Sequence, residues 1–350
     1  MAAEFHVALL GYGLAGSVFH APLVAATPGL RLHTVVSRDP GKVAARHPAV
    51  RVVAEPAQAF ADPAIDLVVV ATPNDTHAPL AMAALAAGKH VVVDKPFALD
   101  TVQARAMIEA ARTAGRVLSV FHNRRWDADF LALRGLLEAG ALGEVAELHS
   151  HFDRFRPQVP DRWRDREGPG SGLWYDLGPH LVDQVLQLFG PPQAVYADLA
   201  QQRDGARATD YFHVQLRYPR LRAILHAGAL VPGHGLRFAV HGTGGSWLKQ
   251  GLDPQEDALR DGAQPGGAGW GRDPRPGVLL RAGADGQVHE QPAAATAGDY
   301  PAYYAAMRDA IATGSAPPVA AEDALRVMEV IEAGIASSRQ RREVPFTPRR

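Results

Sequence analysis

The sequence predicts an α/β protein in two parts, a doubly wound parallel sheet followed by an α/β region built on a large, mostly antiparallel sheet. Three observations carry this. Short apolar runs alternate with helix-like stretches over the first 120 residues, and a βαβα alternation implies a parallel sheet with helices on both faces. From residue 145 onward, β-rich stretches follow one another across turn residues such as Pro219-Arg220, which suits antiparallel neighbours. A glycine-rich turn also stands directly after the first apolar run and opens a helical one. The division is placed at residues 1–122 and 123–350.

In chain order, the runs at 5–10, 32–36, 50–53, 67–71, 91–93 and 117–120 read as strands. The clearest helices between them are 76–87, closed by Gly88, and 100–114, closed by Gly115; glycine tolerates the left-handed turn that ends a helix. A helix over 127–139 opens the second part, and strands follow at 145–155, 195–201, 211–218, 222–230 and 236–241. Residues 251–292 are rich in Gly, Pro, Asp and Arg, with little periodicity. So long an irregular segment is usually functional or mobile. Helices over 300–312 and 320–337 close the chain, and no internal repeat is visible.

Composition narrows the function classes. With 350 residues, 47% hydrophobic and 21% charged, the chain is of globular type. A net charge of -1 supplies no basic field to attract nucleic acid or an anionic membrane, so neither is expected as a partner. The absence of cysteine excludes a thiolate nucleophile, a Cys-ligated zinc and a disulfide. Thiol-dependent aldehyde dehydrogenases and Cys-zinc alcohol dehydrogenases are thereby removed, and no metal site is assigned. The N-terminus runs straight into a strand-like segment, and no later stretch reaches the ~18 uninterrupted apolar residues of a membrane span. A cytoplasmic location is expected.

Gly11-Tyr12-Gly13-Leu14-Ala15-Gly16 follows the first strand and opens a helix. That is the context of a dinucleotide fingerprint, with glycines for the tight turn and for close phosphate approach at a helix N-terminus. Gly11, Gly13, Leu14, Ala15 and Gly16 are therefore cofactor-binding candidates. At the end of the second strand stand Ser37 and Arg38, with Asp39 slightly beyond. An NAD site places a carboxylate here for the ribose 2′-hydroxyl, whereas an NADP site supplies an arginine for the 2′-phosphate. Ser37 and Arg38 favour NADP over NAD; the alternative is a solvated Arg38 with Asp39 serving NAD.

Thr72, Pro73, Asn74 and His77 follow the fourth strand at the same sheet edge, where a turn can pack on the nicotinamide half of a cofactor or simply cap a helix. Only four of the 36 Lys+Arg residues are lysines. One of them, Lys95, ends the apolar run His90-Val91-Val92-Val93-Asp94 and precedes Pro96. An ammonium at the carboxyl end of a strand lies where open α/β sheets bind ligands, and lysine, unlike arginine, can be tuned to exchange a proton.

Trp174-Tyr175-Asp176-Leu177-Gly178-Pro179-His180 precedes an apolar-periodic stretch. Pro179 suits a first helical turn with Gly178 before it as cap, which would aim Asp176 and His180 at one region of the helix entrance. A His held near a carboxylate can act as general base; a capping Asp with a hydrogen-bonded His is the alternative. Asn123-Arg124-Arg125-Trp126-Asp127 and Arg154-Phe155-Arg156 can line a substrate pocket or make packing contacts and ion pairs.

Taken together, these residues resemble the Gfo/Idh/MocA oxidoreductase family of sugar and inositol dehydrogenases. The resemblance spans nearly the whole chain, through Gly11 to Pro22, Thr72 to His77, Asp94-Lys95-Pro96, Asn123 to Asp127 and Asp176 to His180. Gly251-Leu252-Asp253-Pro254-Gln255-Glu256 is similar to a segment of the branch containing NADP-dependent scyllo-inositol dehydrogenases. Asp94 stands where the family usually has Glu, so the carboxylate and the lysine are both kept.

The resemblance implies an N-terminal Rossmann domain, a C-terminal α/β domain whose open sheet often forms subunit contacts, and a homodimer or homotetramer. It implies that Lys95 hydrogen-bonds the reacting oxygen, that Asp176 orients substrate or base, and that His180 exchanges the hydroxyl proton. An ammonium there would stabilise a developing alkoxide and bias His180 toward its neutral form. Asp94, Lys95 and Asn123 join the cofactor candidates. Arg125, Trp126, Arg154, Trp163 and Tyr175 are the candidates for a small-molecule polyol. The competing readings are another sugar, keto-sugar or dihydrodiol as substrate, or a non-catalytic NADP-sensing regulator.

Overall fold

The computed structural model describes residues 4–233, 235–283 and 285–347, grouped in two compact units. The first comprises Met1–Trp126, Gln255–Trp270 and Asp299–Leu325; the second comprises Asp127–Pro254, Gly271–Gly298 and Arg326–Arg350.

The first unit begins with β1 (Phe5–Leu10), α1 (Ala21–Ala26), β2 (Leu30–Val36), α2 (Pro40–Ala44), β3 (Arg51–Val53) and α3 (Pro56–Phe60). It continues with β4 (Leu67–Val70), α4 (His77–Ala86), β5 (His90–Val93), α5 (Thr101–Ala114) and β6 (Leu118–Val120). The strands lie in the order β3-β2-β1-β4-β5-β6, with every neighbouring pair parallel. Helices on both faces explain the unbroken apolar runs: all four residues of β4 are buried. Strand order reverses between β1 and β4, so the loops leaving those strands flank the crevice where such sheets bind ligands. Local chemistry fixes the helix ends. The Asp39 carboxylate accepts from Lys42 N at 3.0 Å to cap α2, the Asp100 carboxylate accepts from Gln103 N at 2.8 Å to cap α5, and Gly115 closes α5 at φ 61.

The second unit carries α6 (Ala128–Glu138), β7 (Val145–His151), α7 (Gly172–Phe189), β8 (Ala194–Ala200), β9 (Tyr211–Arg217), β10 (Arg222–Gly228), β11 (Leu236–Gly242) and β12 (Gly245–Gln250). There follow α8 (Gln255–Arg260) in the first unit, β13 (Val278–Ala282) and β14 (Val288–Pro292) in the second, α9 (Pro301–Thr313) in the first, α10 (Ala321–Gln340) and β15 (Val344–Pro345). Nine strands form one sheet in the order β14-β13-β12-β11-β7-β10-β9-β8-β15, antiparallel except for the parallel β7/β10 pair. Burial alternates along β9 and β10: Phe212, Val214 and Leu216 with Ala223 and Leu225 are buried on the face covered by α7. Beneath that face the fully buried Arg237 guanidinium meets Asp129 at 3.1 Å, Ser150 at 2.8 Å and Gln184 at 2.7 Å. A buried charge is tolerable only when satisfied in this way.

Two expectations change. The segment 251–292 holds α8, β13 and β14. The β13/β14 hairpin lies at the sheet edge, and every residue of β14 is exposed, so neither shows the apolar alternation of a buried strand. Helix α7 begins at Gly172, well before Pro179, which lies inside it. Gly178 explains the continuity, since a Cβ there would stand 2.5 Å from the Trp174 ring. The helix keeps a bare backbone at Gly178 so that Trp174 can fold back along it.

Candidate functional site

In the first unit, the β1 loop is shaped by its glycines. Gly11 adopts φ 90, and a Cβ on it would lie 2.4 Å from the Ala71 carbonyl oxygen; one on Gly16 would lie 2.1 Å from Gly11 O. The loops after β1 and β4 therefore touch through bare backbone. Gly13 is different: no atom lies within 4 Å of its would-be Cβ, and Gly13 and Leu14 are exposed. A cradle closed beneath by Gly11 and Gly16 and open above Gly13 fits a dinucleotide pyrophosphate. Ala15 starts the helical segment Ala15–His20, which runs into α1.

Ser37 follows β2, its N–H donating to Val53 O at 3.0 Å, and Arg38 is exposed. Asp39 is engaged as the cap of α2. The sequence reading missed Lys42, whose ammonium donates to Tyr12 O at 3.2 Å inside the glycine loop. Its signal was available, as Lys42 sits in the first turn of the short helix that Asp39 opens.

At the ends of β4 and β5 the candidates divide between surface and support. The His77 ring is buried, with Nδ1 2.8 Å from Pro96 O and Nε2 3.0 Å from Thr72 O. Both nitrogens therefore face main-chain carbonyls, and His77 ties the Thr72-Pro73-Asn74 turn to the Asp94-Lys95-Pro96 turn. Thr72 is braced further by Thr76, hydroxyl to hydroxyl at 2.6 Å, and Asn74 is buried. Asp94 accepts from Lys95 N at 2.8 Å and lies 3.7 Å from His20 Nε2, while His20 Nδ1 is 2.6 Å from the Tyr304 hydroxyl. Burial works to raise the Asp94 carboxyl, but His20, with Lys95 and His77, holds it below the ordinary carboxylate range.

After β6, Asn123 is buried in a short helical turn that also contains Arg125 and Trp126. Arg125 pairs with Asp323 at 3.3 Å, and Trp126 meets Tyr303 edge-on at 5.6 Å between ring centres. Gln255 fastens this turn: its amide donates to Trp126 O at 3.0 Å, and its carbonyl accepts from Trp270 Nε1 at 2.9 Å and Tyr300 N at 2.8 Å. Arg125 and Trp126 thus take part in packing within the first unit.

In the second unit, Asp176 and His180 lie one turn apart on α7, on a shared helix face. Asp176 Oδ1 is 3.5 Å from Arg164, a residue the sequence reading passed over. His180 is 5% exposed, whereas Tyr175 and Asp176 are half-buried. Pro179 lacks the N–H that would bond the Tyr175 carbonyl, which loosens α7 at the turn carrying these side chains. Arg154 lies over the Phe152 ring at 4.6 Å. The segment between β7 and α7 is held by Arg203, which donates to Asp210 at 2.9 Å and to the carbonyls of Arg156 and Gln158 at 3.1 Å each. The Trp163 side chain lies outside the described residues.

The first unit can hold a dinucleotide beside a lysine; the second offers an imidazole and a carboxylate on one helix turn. Both regions of the chain match known proteins. Residues 5–122 match the model of an oxidoreductase family NAD-binding Rossmann fold, and residues 134–346 match that family's C-terminal alpha/beta domain. The chain is 55% identical to the uncharacterized oxidoreductase YdgJ of Escherichia coli, covering 97% of this chain and 98% of YdgJ. It is 41% identical to the scyllo-inositol 2-dehydrogenase (NADP(+)) IolW of Bacillus subtilis, covering 97% and 95%. The solved structure of YPO2259 from Yersinia pestis superposes with a TM-score of 0.96 at 51% identity, covering 100% of this chain and 99% of that one. The chain belongs to the Gfo/Idh/MocA oxidoreductase family.

Proposed function

We propose that the protein is an NADP-dependent dehydrogenase of CH–OH groups in a cyclitol or sugar-like polyol, with a substrate of the scyllo-inositol type. The observation that carries the cofactor choice is the end of β2. Asp39, the carboxylate an NAD site would use, caps α2, while Arg38 is exposed and Lys42 reaches the glycine loop. Two cations and an engaged carboxylate suit a 2′-phosphate better than a bare 2′-hydroxyl. The relative IolW, named for NADP and scyllo-inositol, supports the same choice.

When bound, the nicotinamide accepts or returns the hydride. The chain's own residues do the rest. His180 takes the hydroxyl proton of the alcohol at a ring nitrogen and returns it in reduction, Asp176 orients the reacting groups, and the Lys95 ammonium stabilises negative charge on the carbinol oxygen. Asp94 supports that ammonium as its neighbour in sequence and charge. Gly11, Gly13 and Gly16 admit the phosphates, and the Thr72-Pro73-Asn74 turn, braced by His77, forms one wall for the nicotinamide end.

A panel of inositols and sugars, assayed separately with NADP and NAD, tests the reading. Turnover of a cyclitol with NADP preferred is expected. Lys95→Ala and His180→Ala should each lower kcat by about 10²- to 10⁴-fold while leaving NADP binding measurable by fluorescence titration. Normal turnover in both variants would sink the mechanism. Tight NADP binding without turnover on any polyol would instead indicate a sensor.

A further inference from the structure

The nine-stranded sheet brings together a set of histidines that sequence spacing does not join. In the register of its central strands, Asp198 on β8 pairs with His213 on β9, His213 with His226 on β10, and His226 with His151 on β7. Directly paired residues point to the same face, so three imidazoles form a row across neighbouring strands, on the face opposite α7. Asp153 lies two residues beyond His151, on the same side. Its carboxylate is oriented by the Gly228 N–H, which donates to Oδ1 at 2.9 Å.

We propose that His151, Asp153 and His226 bind a divalent transition-metal ion of the zinc, cobalt or nickel class. One ligand atom from each lies within 4.8 Å of the others. His151 Nδ1 stands 3.3 Å from Asp153 Oδ2, and His226 Nε2 stands 3.3 Å from Asp153 Oδ1. Metal–ligand bonds of ~2.0–2.1 Å in tetrahedral arrangement put neighbouring ligand atoms about 3.4 Å apart; the two imidazoles approach different oxygens of Asp153 at that kind of spacing, so one ion would be held across both carboxylate oxygens or draw one of them between the rings. Two imidazoles and a carboxylate form a donor set typical of that class. Three protein ligands leave a position for water or an exogenous ligand.

Two further observations agree. His213 stands 6.0 Å from His226 between ring centres, and His151 stands 5.0 Å from it. Three imidazoles this close repel one another when protonated, which weakens a simple ion-pair account of the cluster. A small concavity lined by His151, Asp153, Gly235, Leu236, Arg237, Gly251 and Leu252 opens beside the site.

The site involves none of the residues assigned to hydride or proton transfer, and its test reads binding, not turnover. Untagged protein stripped with EDTA is titrated with Co(II), watching the visible d–d bands, and then with Zn(II) as competitor. One saturable Co(II) per chain, displaced by Zn(II), is expected. His226→Ala and Asp153→Asn should each weaken binding at least about tenfold, while His241→Ala, on β11 and outside the cluster, should not. Absence of saturable Co(II) absorption, or undiminished binding in His226→Ala and Asp153→Asn, overturns the proposal. Should either variant fail to fold by circular dichroism, the wild-type imidazole ¹⁵N resonances decide. Shifts confined to His151 and His226 on adding Zn(II) support the site; unshifted resonances for both overturn it.

Discussion

At the scale of single residues, cofactor choice rests on Arg38 and Lys42, which contribute differently. Arg38 is exposed and supplies a fork for a phosphate. Lys42 is anchored to the glycine loop through Tyr12 O, so it contributes charge at a fixed place. A charge-assisted hydrogen bond is worth about 1.5–3 kcal/mol, and solvent takes the exposed Arg38 to the low end. Arg38→Ala is therefore expected to raise the KM for NADP roughly tenfold with NAD unchanged, and the Lys42→Ala, Arg38→Ala pair to raise it further. Equal losses with both cofactors would show that these cations do not contact a 2′-phosphate. Arg38, Lys95 and Asp94 were legible in the sequence because each follows a recognisable strand. His20 and Tyr304 were not, because their contact joins residues 284 positions apart, a closeness only the fold creates. Arg164 was missed for a similar reason, as its link to Asp176 depends on how the irregular segment before α7 returns.

At the scale of elements, the parallel sheet was easy to read and the second sheet was half legible. β1, β4 and β5 are buried on both faces, so their apolar runs are continuous and the glycines after them mark the turns. β9 and β10 announce themselves by alternation. β13 and β14 lie at the sheet edge, where exposure erases the apolar pattern, whereas β12 buries Trp247 beside a lysine, Lys249, paired with Asp273 at 2.8 Å. Helix α7 shows how a local rule fails: Pro179 reads as a helix start, yet packing of Trp174 extends the helix backward to Gly172. Trp174 Nε1 donates to Ile331 O at 3.1 Å, and Trp174 meets Phe212 at 4.9 Å between ring centres, contacts worth more than the single helical bond that Pro179 removes. Gly178→Ala places a methyl 2.5 Å from that ring. Overpacking of this kind costs about 1–3 kcal/mol, so the variant should melt several degrees lower in a thermal scan. It should also lose kcat, since displacing Trp174 shifts the turn that carries Asp176 and His180. An unchanged melting temperature would mean that the ring moves aside freely.

At the scale of the whole molecule, the histidines set how the fold responds to acid. Among the described residues no helix is long and apolar enough to cross a membrane. His90 and His77 are both held below their ordinary pKa by burial, His90 at about 4 with Arg116 adding to the depression. The geometry at His90 agrees, because Nδ1 accepts the Val117 N–H at 3.0 Å and a proton on that nitrogen would break the contact. The unfolded chain binds a proton at each site near pH 6.5, whereas the fold resists until lower pH. Their contribution is therefore complete above pH 6.5 and is lost as pH falls from there toward 4, where the native His90 itself titrates. The urea midpoint should hold steady between pH 8 and 7 and fall progressively between 6.5 and 4. His90→Asn, whose side-chain oxygen can accept the Val117 N–H without titrating, should flatten that fall. A wild-type midpoint that rises over the same interval, or an Asn variant with an identical slope, would remove His90 from the account and leave the acid response to the carboxylates, of which Asp94 loses its native charge only at still lower pH.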